Sequence, residues 1–173
     1  MNQKEQQTFD DAKSNVKPDL VKSIQNLLHD QPFSVLCTQG DCQPYGSLVA
    51  FAYSNDMKHL YFITPTETRK YMLLNQCANV SMVIDSRSLH PDNMKEVEAV
   101  TITGKARQIE QGEEYQKGIR MLKDRHPYMK DFLETPSTAL FRIDVSRYYY
   151  VSRFQKVAQW TPDQEVHFFS LSR

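Results

Sequence analysis

Three stretches of strand composition fall between residues 32 and 64, with only a turn between each and the next. "PFSVLCTQ" (32–39) runs into Gly40-Asp41, "PYGSLVAFAYS" (44–54) into Asn55-Asp56, and "HLYFIT" (59–64) completes the run. Connections this short join antiparallel neighbours, because a parallel pair needs a crossover of about a dozen residues or more. The pattern therefore predicts an antiparallel meander and excludes a doubly wound sheet. Further strand candidates lie at 79–85, 98–110, 138–152, 156–160 and 166–171, and Gly104 inside "EAVTITGKARQIE" marks a bulge or a close backbone approach. Helical spacing is confined to three places. Leu20, Val21, Ile24, Leu27 and Leu28 follow Pro18 in a helix over 18–29, "TRKYMLLNQC" follows the third strand, and 112–133 reads as a helix broken near His126-Pro127. Residues 86–96 form a polar loop. Many strands with few helices predict an α+β domain dominated by β and built on an antiparallel barrel with a few peripheral helices. Residues 1–17 read as a flexible N-terminal arm, leaving 18–173 as a single domain.

Composition removes several function classes. Lys+Arg and Asp+Glu are equal at 21 each in 173 residues, so the chain lacks the basic field that nucleic acid or an anionic membrane surface would attract. The polar start holds no signal-peptide core, and the longest apolar run, "LVAFAY" (48–53), is far short of a membrane span. Cys37, Cys42 and Cys77 include no CxxC pair, so reduced thiols in a cytoplasm are expected rather than disulfides or zinc. His29, His59, His90, His126 and His167 share no metal-binding spacing. No GxGxxG or GxxxxGK[ST] occurs, which removes Rossmann and P-loop nucleotide sites.

The densest chemistry lies in "FITPTETRKYMLL" (62–74), a strand-to-helix corner holding three threonines, an arginine and a lysine. Capping accounts for part of it: Thr64 as N-cap, Pro65 at N1 and Glu67 at N3 fit a capping box, worth about 1 kcal/mol. Arg69 and Lys70 are left over, since cations in a first helical turn oppose the dipole by about 0.3–1 kcal/mol. A phosphate lodged at the helix start would explain them. On residue chemistry alone the two readings stand near even.

The order of pieces resembles the pyridoxamine 5′-phosphate oxidase-like, FMN-binding split-barrel family. "QPYGSLVAFAYS", "HLYFITPTETRKYMLLNQCANVSMVID" and "EAVTITGKARQIE" carry the resemblance over 32–110, and 138–160 fit the later strands more loosely. The resemblance implies FMN as cofactor, with Arg69 and Lys70 on its phosphate beside the hydroxyls of Thr64 and Thr66. Gly46, Ser47 and Leu48 match the strand bordering the flavin ring, and Val49 shares the direction of Ser47. It further implies a homodimer with FMN between subunits and a role for Trp160 beside the ring, set against a plain core anchor. The C-terminal basic and histidine motif of true pyridoxamine phosphate oxidases is missing from "AQWTPDQEVHFFSLSR", so another small-molecule substrate or electron donor is expected. The resulting expectation is an FMN-dependent oxidoreductase. The alternative is a non-catalytic flavin or haem carrier or sensor, with His90 or His167 as axial candidates. In "RYYYVSRFQK" Arg147 or Arg153 offers a second phosphate contact, and no catalytic acid or base is identifiable.

Overall fold

The computed structural model describes residues 19–152, 156–162 and 167–169. The arm read over 1–17, together with Pro18, lies outside them. Residues 19–30 are helical (α1). There follow β1 (Phe33–Gly40), β2 (Gln43–Ala50), β3 (Ala52–Tyr53), β4 (His59–Pro65), α2 (Arg69–Gln76) and β5 (Asn79–Asp85). The chain continues through β6 (Ala99–Gln108), α3 (Glu113–Arg125), α4 (Lys130–Leu133), β7 (Thr138–Ser152), β8 (Lys156–Trp160) and β9 (His167–Phe169). Pro127 divides α3 from α4 with a 3-10 turn, as its missing N–H requires. A second 3-10 turn, Arg87–Leu89, lies in the polar loop. Among the described residues no helix is long and apolar enough to cross a membrane.

Every strand pairing is antiparallel, in the order β2-β1-β5-β6-β7-β4-β3, with β8 beside β7 and β9 beside β8. β3 continues β2 after a single residue, Phe51. Both ends of that order therefore belong to one segment, and the sheet curls back on itself as the expected split barrel. The meander expectation needs correction. Hairpins β1–β2 and β3–β4 form, but β2 pairs with β1 while β4 pairs with β3 and β7. The strand read over 44–54 breaks at Phe51 and changes partner there.

Leu36, Phe62, Met82, Ile102, Phe141 and Tyr148 fill the interior, joined by Leu20, Ile24, Leu27 and Leu28 of α1. A second cluster lies outside β3, β4 and β7, where Ile119, Leu122 and Leu133 cover Tyr61, Ile63 and Leu140. β4 is thus buried on both faces, which is why "LYFIT" is an unbroken run of buried side chains rather than an alternation. Gly104 sits at the register shift between β6 and β7. A Cβ there would lie 2.8 Å from Ile143 Cγ2 and closer still to the Asp144 carbonyl oxygen.

The end of α3 fastens the break at Phe51. The His126 Nε2–H donates to the Phe51 carbonyl at 2.9 Å, and its Nδ1 faces the Tyr128 hydroxyl at 3.4 Å. The Arg125 guanidinium lies 4.7 Å from the Phe51 ring centre and 5.1 Å from that of Tyr53. It also donates to the Leu28 carbonyl and to that of Gln31 at 2.9 Å, closing the C-terminal end of α1.

Gly104→Ala is expected to lower stability by about 1–3 kcal/mol in urea denaturation, because its new methyl meets fixed backbone. Burial, helped by the neighbouring Arg125 charge, holds the His126 imidazole below its ordinary 6.5. The unfolded chain therefore takes up a proton first, so stability is whole above about pH 6.5 and falls as pH drops below it. Urea midpoints at about pH 7.5 and about pH 5.5 should differ in that direction, and His126→Gln, a neutral donor to the same carbonyl, should shrink the difference.

Candidate functional site

β4 carries the chain further into the corner than the sequence suggests. Thr64 pairs with Ala139 and Pro65 with Thr138, and the Thr66 N–H and hydroxyl both donate to the Ser137 carbonyl, at 2.9 and 3.2 Å. α2 begins at Arg69. Its N-cap is Thr68, whose Oγ1 accepts from the Tyr71 N–H at 3.4 Å. The capping box starting at Thr64 is thereby replaced: pairing with β7 keeps residues 64 and 65 extended, and the helix waits for the next threonine.

Freed from the cap, Thr64 faces inward at 1% exposure. Its Oγ1 lies 3.0 Å from Thr68 Oγ1 and accepts from Lys70 Nζ at 3.3 Å. Thr68 in turn donates to the Pro65 carbonyl at 2.9 Å. Burial pushes the half-buried Lys70 ammonium below the usual lysine range. No carboxylate pairs with it or with Arg69 among the described residues. A partly desolvated cation held on one hydroxyl, with no carboxylate partner among the described residues, can form a charge-assisted bond to an anion.

Arg69 turns the other way, its guanidinium 5.3 Å from the Tyr45 ring centre. Tyr45, Ser47 and Val49 share one side of β2 by the two-residue period. Val49 is buried in the core, and Ser47 Oγ is buried without a hydrogen-bond partner. Gly46 and Leu48 alternate outward, and Leu48 is 67% exposed. The first turn of α2 therefore lies against the side of β2 that carries Tyr45 and Ser47.

The structure gathers Thr64, Thr68 and Lys70 into one cluster and sets Arg69 on Tyr45 beside it. Thr66 is occupied by Ser137, and Val49 belongs to the core. Trp160 is buried, paired with Tyr148 and tilted onto its ring at a 5.1 Å centroid distance. Sequence reasoning missed Thr68 and Tyr45. The two-residue period placed Tyr45 beside Ser47, while Thr68 looked redundant once Thr64 had been taken as the cap. Arg147 donates to the Tyr149 hydroxyl at 3.3 Å, and His90 faces Glu96 at 3.3 Å. Arg153 and the His167 side chain lie outside the described residues. Among the described residues no cluster of three or more His, Cys, Asp or Glu side chains could hold a metal ion.

The crystal structure of ChuZ from Campylobacter jejuni superposes with a TM-score of 0.77 at 10% identity, over 88% of this chain and 63% of that one. A heme binding protein from Mycobacterium smegmatis matches at 0.71 and 17%, over 79% and 55%. A FAD-binding protein from Mesorhizobium loti matches at 0.58 and 18%, over 72% and 88%. The chain spans less than two thirds of the first two, and at such identities the likeness is one of fold. No curated protein sequence matches it. The family model described as pyridoxamine 5′-phosphate oxidase covers residues 20–152, well over half the sequence and every strand from β1 to β7. By that match, and by a barrel closed through one broken strand, the chain belongs to the pyridoxamine 5′-phosphate oxidase family.

Proposed function

We propose that the β4–α2 corner holds the phosphate of FMN and that the protein is a flavin-dependent oxidoreductase acting on a small molecule other than pyridoxamine phosphate. One observation carries this reading: Lys70 is half-buried against Thr64, and among the described residues no carboxylate neutralises it. The Thr64 hydroxyl already meets Lys70 Nζ, with Thr68 Oγ1 3.0 Å from it, and Arg69 lies on Tyr45 at the same helix start. The partnerless Ser47 hydroxyl offers a contact to the ring edge. Bound flavin would supply the electron transfer, while these residues bind and orient it. Any contacts missing from one chain would come from a second copy, since a homodimer is part of the same reading. The unpaired Cys37, Cys42 and Cys77 fit a reducing compartment such as the cytoplasm.

A second reading is a carrier of flavin or haem without turnover, favoured by the fold shared with the mycobacterial heme binding protein. Titrating the protein with FMN and with hemin separates the two ligands by their absorbance bands, and NADH or NADPH consumption by the loaded protein separates enzyme from carrier.

Arg69→Ala combined with Lys70→Ala should weaken FMN binding by at least about 2 kcal/mol, roughly thirtyfold, when measured by flavin fluorescence. Unchanged affinity in a folded double variant would reject the phosphate assignment. Thr68→Ala, which removes the actual cap, should lower the stability of the ligand-free protein by about 1 kcal/mol, whereas the cation changes leave it near the wild-type value.

A further inference from the structure

Away from the corner, an open groove of about 450 Å³ runs along the outer side of β1, β5 and β6. Its walls follow from the register. Cys37 stands opposite Ser81, Ser81 opposite Thr103, and Asn79 opposite Lys105. These residues alternate with the buried Leu36, Val80, Met82 and Ile102, so their side chains share the outer face. The bulge completes the groove. Between β6 and β7 the pairing steps from Thr103↔Arg147 to Gly104↔Val145, which leaves Ser146 unpaired and lining the same depression. Re-aiming one side chain in this way is what a bulge does.

Two of the polar side chains lining the groove are committed, Thr38 donating to the Tyr45 carbonyl at 3.2 Å and Gln39 to Cys77 Sγ at 3.5 Å, and five others are unspent. Asn79, Ser81, Thr103, Lys105 and Ser146 make no side-chain hydrogen bond or ion pair among the described residues. On the α3 side of the barrel, by contrast, Arg107, Arg142, Glu114 and Asp144 are tied into one ion-pair network. Among the described residues no carboxylate lines the groove, and the one formal charge they bring to it is the Lys105 ammonium. A solvated sheet face accounts for free hydroxyls one at a time. It does not account for four neutral polar groups and one cation converging on a depression whose volume lies in the range of small-molecule sites.

We infer that this groove is a second ligand site, for a small organic anion bearing one carboxylate or phosphate. Lys105 meets the charged group, and Asn79, Ser81, Thr103 and Ser146 bond its remaining oxygens. The site includes none of the residues assigned to the flavin corner, so the two stand or fall separately.

Glyceric acid and glycerol 3-phosphate share a skeleton and differ in the anion, which makes them matched probes. Titrated into the full-length protein and followed by amide NMR, either or both should give saturable shifts at Asn79, Ser81, Thr103 and Lys105. Whichever binds identifies the anion. Lys105→Gln should weaken that binding by about fivefold or more, and Thr103→Val, which keeps the branched shape, should also weaken it. Lys70→Ala should leave it unchanged. The inference is overturned if neither probe gives a saturable shift at the groove, if the shifts gather at 64–71 instead, or if Lys105→Gln, folded with a normal spectrum, binds as the parent does.

Discussion

A sheet that closes on itself through a single strand has to let that strand leave one ladder and enter another, and here the transfer happens at Phe51. The residue between β2 and β3 carries a carbonyl outside both ladders, in a buried place where an unpaired acceptor costs about 1–3 kcal/mol. His126 removes that penalty with one hydrogen bond, and Arg125 stacks on the ring of the same residue. Closure of the barrel is thus conditional on a helix that arrives 75 residues later. The same arginine seals the end of α1, so the helix filling the barrel and the strand closing it share one fastening.

This fastening reaches the corner through geometry. Val49, Ser47 and Tyr45 step back from Phe51 at two-residue intervals on one side of the strand, and the break fixes where that side faces. On the neighbouring edge, β4 keeps its pairing with β7 through Pro65, which delays α2 until Thr68 can cap it. The delay frees Thr64 from capping and turns it toward Lys70. Two long-range pairings, each with a partner distant from the corner in sequence, thus decide which hydroxyl faces the cation.

The barrel itself was legible because its signals are local. Turn residues and strand periods settled the hairpins, Pro127 marked the split between α3 and α4, and Gly104 announced the bulge. What escaped depended on distant partners. An unbroken strand-like stretch from 44 to 54 gives no hint that Phe51 within it is held by His126, which lies 75 residues further along the chain. Thr64 satisfied every local rule for an N-cap and lost the position to β7, whose register no window around residue 64 contains. Trp160 was open between a place beside the cofactor and a core or interface anchor; it is buried and packs on Tyr148. The cations were legible as a pair, yet their parting, one inward to threonine and one outward to tyrosine, was not.

That parting bears on how the corner is to be understood. If α2 needed only a start, Thr68 alone would provide it at about 1 kcal/mol, and two cations in the first turn would subtract from it. Arg69 offsets its share by lying on an aromatic face, an exposed contact worth about 0.5–1 kcal/mol. Lys70 has no such offset. Its ammonium is partly withdrawn from water toward a hydroxyl that cannot neutralise it, and burial alone lowers its affinity for the proton. Among the described residues no carboxylate pairs with Lys70. On the reading proposed for this corner, a negative group from outside supplies the missing half of the pair, beside the Thr64 hydroxyl that Lys70 already meets.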